Sequence, residues 1–131
     1  MSILATILSA LVAVEHVWFL VLEMFLFQKP TGLETFHITQ QTADTCAVLA
    51  KNQGLYNGFL AAGLCTALAA RSTLMRRFIL CCVIVAGIYG TATVGDKALF
   101  IGQSLPAIVA LLVFELSNRG AGSEKRAAAA A

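Results

Sequence analysis

Charge is scarce in this sequence of 131 residues: Asp, Glu, Lys and Arg make up 12% of it, about half of the roughly 25% usual in a soluble domain. Hydrophobic residues make up 59%, and the mean hydropathy is +0.83. That balance excludes an ordinary soluble domain and indicates one compact membrane protein. The net charge is only +2 and is scattered, which excludes the basic patch of a nucleic-acid binder, so no nucleic-acid partner is expected. Metal and disulfide signatures are lacking too. Cys46, Cys65, Cys81 and Cys82 form no C-x-x-C pair, and no histidine stands at ligand spacing from them. No metal site and no cofactor are therefore expected, and Cys65, Cys81 and Cys82, inside apolar runs, read as small core hydrophobes. The first residues lack the basic start of a secretory signal, and their apolar run exceeds the usual 7–15 residues, so it reads as a span rather than a cleaved leader.

What is there is apolar length. Four runs, at about residues 3–27, 52–70, 78–94 and 98–117, approach the ~20 residues that cross a bilayer. The expected fold is all-α: an integral membrane four-helix bundle over residues 1–117, followed by a flexible tail at 118–131 rich in Gly, Ser, charge and Ala. The first run stops at the turn-forming Gln28-Lys29-Pro30-Thr31-Gly32. Thr39 can cap a helix with Ala43, Cys46, Ala47 and Ala50 on one face. This predicts a short extramembrane helix near 40–50 in the first loop, able to continue into the second span. Arg71 to Arg77 form a basic loop, and Gly95-Asp96-Lys97 a tight turn. Four spans put Arg71, Arg76, Arg77, Arg119, Lys125 and Arg126 on one side and Lys29, Lys51 and Lys97 on the other. The positive-inside rule then places both termini in the cytoplasm, with a bacterial inner membrane as the expected location.

Glu15, His16 and Glu23 stand inside the first apolar run. A charge at the centre of a membrane helix costs about 2.5–3.5 kcal/mol on insertion scales, so ionisable groups there are functional candidates by default. At 1.5 Å per residue, Glu23 lies about 10 Å beyond His16, toward the outer face. The second run begins on that face with Asn52, Gln53, Tyr56 and Asn57, the third ends there with Tyr89, and the fourth begins there with Gln103. Ser9, His16 and Glu23 recur every seven residues and form one helical stripe. Gln53 and Asn57 share a face, as do Asn52 and Tyr56. Gly54 and Gly58 form a G-x-x-x-G that permits close helix approach. The candidate catalytic set is therefore Glu15, His16 and Glu23, and the candidate ligand-binding set is Trp18, Asn52, Gln53, Tyr56, Asn57, Tyr89 and Gln103. The plainer reading is that these amides, carboxylates and imidazole tie four helices together, at about 0.6–2 kcal/mol per interhelical bond. On it, Trp18, Tyr56 and Tyr89 are core or interface aromatics, Pro106 kinks the fourth span, Asp96, Lys97 and Glu115 are interfacial charges, and His37 is a solvated loop residue.

Three stretches carry a family resemblance. They are Glu15-His16-x-x-Phe19-x-x-x-Glu23-Met24-Phe25, then Asn52-Gln53-Gly54-Leu55-Tyr56-Asn57-Gly58-Phe59, then Val85-Ala86-Gly87-Ile88-Tyr89-Gly90. They resemble the hallmark stretches of a family of small membrane proteins known as domain of unknown function 1304. The likeness extends to about Glu115 and implies a four-span fold with no assigned activity. A glutamate midway along the first of four spans is also similar to small multidrug transporters, whose other motifs are absent here. A membrane His with two Glu is similar in residue types alone to sterol isomerases of the emopamil-binding type. The four-helix quinone-linked disulfide enzymes are disfavoured by the missing C-x-x-C.

Two functional classes compete with a purely structural one. The first is an intramembrane enzyme for an apolar or lipid-like substrate. In it a buried Glu15 or Glu23 donates a proton, His16 acts as base or orienter, and Asn57, Gln53 and Tyr56 polarise a carbonyl or hydroxyl. Double-bond isomerisation suits that set better than hydrolysis, because no Ser or Cys is paired with His16. The second is a proton-coupled carrier or binding protein, which at this size would need a homodimer to form a path. Metal binding by Glu15, His16 and Glu23 is disfavoured by the single intramembrane histidine. The expected partners are membrane lipid and an apolar small molecule.

Overall fold

The computed structural model describes the backbone of residues 2–130 and the side chains of residues 2–120. Its order is α1 (Ile3–Val21), a first π turn (Leu22–Leu26), α2 (Pro30–Phe36), α3 (Gln40–Ala69), α4 (Thr73–Val94), α5 (Lys97–Leu99), a second π turn (Phe100–Ser104) and α6 (Leu105–Ala130). The chain is all-α, with no strand among the described residues. The flexible tail expected over 118–131 lies, beyond Gly120, outside the residues whose side chains are described.

Three helical stretches are long and apolar enough to cross a membrane: Ile3–Leu26, Thr73–Val94 and Lys97–Gly120. The fourth expected span is part of α3, whose first half carries Gln40, Gln41, Asp44, Lys51, Asn52 and Gln53 and leaves only about residues 54–69 apolar. The helix expected near 40–50 is present, and ahead of it in the first connection stands a further short helix, α2. Pro30 starts it, pre-set for the first helical turn. His37, in the left-handed region at φ 52°, closes it by donating its N–H to the carbonyls of Glu34 and Leu33. Residues 40–50 form the opening turns of α3 and continue into the expected second span, and the Thr39 hydroxyl accepts from the Thr42 N–H at 3.2 Å as the expected cap. Nothing in Ala50-Lys51-Asn52 breaks a helix, so the 30 residues run through uninterrupted.

The chain divides by contact into two compact units, residues 13–63 and residues 1–12 with 64–131. In the first unit α2 folds tightly under the first π turn. A Cβ on Gly32 would strike the carbonyl oxygens of Leu26 and Phe27, and the Phe27 and Phe36 rings meet at 5.2 Å. Asp44 ties the loop to α3 by accepting from the side-chain amides of Gln28 and Gln40, each at 2.8 Å. Those two bonds, Gln28 first, hold its carboxyl below the usual carboxylate range.

In the second unit, Ser72 caps α4 by accepting from the Met75 N–H at 3.3 Å, and Gly95 at φ 79° ends it. Asp96 then caps α5, so Gly95-Asp96-Lys97 is the expected turn. Pro106 follows the second π turn, where the Leu105 N–H reaches back five residues to Phe100. Proline cannot donate to the carbonyl four residues before it, and a π turn is one way to rearrange that ladder. The Ser104 hydroxyl donates to the Ile84 carbonyl at 3.0 Å and fills the space left by Gly87. Glu115 is more than an interfacial charge, since Arg77 grips it with Nε and Nη2. The guanidinium of the buried Arg76 lies 4.5 Å over the Phe114 ring. Cys65 and Cys81 are exposed rather than core.

Candidate functional site

The packed stripe of α3 within residues 13–63 is made of small residues at helical spacing: Ala43, Ala50, Gly54, Asn57 and Ala61. Gly54 and Gly58 bring this stripe against the end of α1 and its π turn. A Cβ on Gly54 would lie 2.6 Å from Met24 Cγ, 3.1 Å from Glu23 Cβ and 3.1 Å from the Leu20 carbonyl oxygen, while one on Gly58 would lie 2.6 Å from Leu20 Cδ1. The approach delivers Asn57, only 6% exposed, to Glu23. Its Nδ2 donates to Glu23 Oε2 at 2.7 Å and to the Gln53 carbonyl at 3.3 Å.

Glu23 belongs to the first π turn. Such turns widen a helix by one residue and recur at functional sites. One consequence is visible along the expected stripe: Ser9 and His16 are fully buried, but at the π turn the buried position is Leu22, and Glu23 is half-buried beside it. The His16 ring meets Phe19 edge-on at 5.5 Å. Glu15 is half-buried, and its Oε2 is buried with no hydrogen-bond partner among the described residues.

The other expected site residues fall elsewhere. Asn52, Gln53, Tyr56 and Trp18 are exposed, and Tyr56 rests its ring on Phe59 at 6.0 Å. Tyr89 and Gln103 belong to the other unit, where Tyr89 is exposed and Gln103 half-buried beside Gly87. Among the described residues no three His, Cys, Asp or Glu side chains gather as a metal site.

Glu23 also lines a cleft of about 330 Å³, with Met24, Phe25, Phe27, Gln28, Lys29, Ala47 and Lys51 around it. The two lysines were not among the sequence-derived candidates. Their signal is position: each stands just where an apolar stretch gives way to polar residues.

The model of the family described as "Protein of unknown function (DUF1304)" matches residues 10–114. An "Uncharacterized protein YpaA" of Lactococcus lactis subsp. lactis (strain IL1403) is 34% identical over 116 residues, covering 86% of this chain and 97% of that protein. No solved structure matches the chain. The matched region takes in every candidate residue from Glu15 to Gln103, and with the YpaA relationship it shows that the chain belongs to the DUF1304 family.

Proposed function

We propose that this protein is an integral membrane protein that uses Glu23 and Asn57, with Glu15 and His16 further along α1, to handle an apolar or lipid-like small molecule. The observation that carries the reading is the Asn57–Glu23 bond of 2.7 Å, made to a carboxylate that lines a cleft. It orients a carboxylate inside a helical stretch apolar enough to cross a membrane, where such a group is costly to keep. In this reading α3 is the fourth span, its apolar residues 54–69 in the bilayer and its polar first half toward the headgroups. The bias of Lys and Arg puts both termini in the cytoplasm, and a bacterial inner membrane is the proposed location.

Acid–base chemistry fits this residue set. In a double-bond isomerisation a carboxylate removes a proton from one carbon and a carboxylic acid returns one to another, with no oxidant needed. In this reading Glu23 takes one of these roles, its direction fixed by Asn57, and Glu15 and His16 are the remaining proton carriers. A proton-coupled carrier, working as a homodimer, is the second reading. It draws on Glu15, whose buried oxygen lacks a partner among the described residues.

Glu23→Gln tests the proposal. The amide keeps the size of the side chain and an oxygen for Asn57, but it can neither take up nor release a proton. The expected result is loss of turnover, or of a co-purifying small molecule, with little change in the thermal unfolding midpoint. A lower midpoint with the molecule still bound would instead make the pair a structural tie. Turnover without a proton gradient separates enzyme from carrier.

A further inference from the structure

The Glu23 cleft has a composition that a purely apolar ligand does not explain. Lys29, which precedes the first turn of α2, and Lys51, on α3, both line it. Among the described residues neither lysine is ion-paired. Asp44, the acid nearest to Lys51 in sequence and on the same helix, is already held by Gln28 and Gln40. Two lysines and one carboxylate therefore line the same cleft, and that carboxylate is engaged by Asn57. Met24, Phe25 and Phe27 add apolar and aromatic side chains to the same lining.

The same residues span the change from apolar to polar chain. Phe27 is the last apolar residue of the first span, and Gln28 and Lys29 follow it directly. An ammonium at such a boundary sits at the level of lipid headgroups, its stem along the apolar surface. The volume of about 330 Å³ lies at the small end of the ~300–1,000 Å³ of ligand sites. It suits a compact headgroup and leaves a long chain outside in the hydrocarbon.

We propose that this cleft binds the anionic head of an amphiphile bearing a phosphate or carboxylate group. Lys29 and Lys51 hold the head, and the apolar chain descends past Met24 and Phe25. The inference rests on the Glu23–Asn57 reading and adds the ligand's charge and polarity: the head sits at the lysines, and the part next to it is presented to Glu23. Phe25 is 63% exposed, so the chain has an open apolar surface to follow.

The full-length protein in a non-ionic detergent is titrated with three probes: dihexanoyl phosphatidic acid, dihexanoyl phosphatidylcholine and inorganic phosphate. The acidic lipid is expected to bind at least tenfold more tightly than either of the others. Replacing both cleft lysines, Lys29→Gln with Lys51→Gln, should abolish that preference. Lys97→Gln, outside the cleft, should leave it intact. Equal binding of the two lipids, or an unchanged preference in the double variant, overturns the inference. So does an equal effect of Lys97→Gln, which would mean general surface charge. Inorganic phosphate binding as tightly as the acidic lipid would make the ligand a free anion and overturn the amphiphile. The underlying reading fails in a different way. If it is wrong, Glu23→Gln leaves binding of both lipids unchanged. If only the charge assignment is wrong, Glu23→Gln weakens both lipids and the lysine changes weaken neither.

Discussion

Gly54→Val is expected to destabilise the protein by about 1–3 kcal/mol, near the upper end of that range for overpacking, and to break the Glu23–Asn57 bond. The reason is what surrounds the missing side chain. A first carbon at Gly54 meets not only Met24 Cγ, at 2.6 Å, but also Glu23 Cβ and the carbonyl oxygen of Leu20, each at 3.1 Å. The oxygen belongs to backbone and cannot step aside without moving the helix, and a branched residue adds further atoms to the same space. Gly58→Ala is the internal control. Its new carbon meets one side-chain end, that of Leu20, which can change rotamer, so its cost should fall well below that of Gly54→Val. Thermal unfolding of the two variants in one detergent checks the difference. Equal midpoints would mean that the helices do not approach each other at Gly54 as described.

Gly87→Ala is expected to cost about 1–3 kcal/mol for the same class of reason. Its Cβ would overlap the Ser104 hydroxyl, lie 3.0 Å from the Ser104 backbone nitrogen and 3.3 Å from Gln103 Cβ. Ser104→Ala alone removes one buried hydrogen bond, to Ile84, for about 0.5–1.5 kcal/mol. Combined, the two changes should cost less than their sum, because the hydroxyl that obstructs the new methyl is gone, while the backbone nitrogen keeps the rescue partial. Unfolding midpoints of the two single variants and the double variant form the cycle. Strict additivity would show that Gly87 and Ser104 do not touch.

Much of the helical layout was legible in the sequence because its causes are local. Apolar runs, the Thr39 cap and the Gly95-Asp96 turn fix where helices begin and end. Pro30 was read as a stop, yet it starts α2, since proline ends one helix and opens the next by the same fixed φ. The π turns were not legible at all. A widened turn has no composition of its own, and without it the heptad Ser9, His16, Glu23 continues on one stripe. The amides of α3 show a different limit. Asn52, Gln53 and Tyr56 were grouped with Asn57 by depth, but helical phase decides burial. Phase was written in the small residues Ala43, Ala50, Gly54 and Ala61, a pattern that includes Asn57 and leaves the others exposed. The pairing of Arg77 with Glu115 joins residues far apart in the chain, and residue type alone did not reveal it.

Photoaffinity labelling tests the central claim, a ligand site at Glu23 and Asn57, most directly. The probe is a short acidic lipid with a diazirine on the first carbons of its chain, and mass spectrometry maps the sites it labels. The account predicts saturable labelling at Met24, Phe25 and Ala47, which line the cleft, competed by unlabelled acidic lipid and lost in Glu23→Gln. Labelling spread over the exposed apolar faces, such as Phe78, Val85 and Leu112, with no competition and no dependence on Glu23, would contradict it.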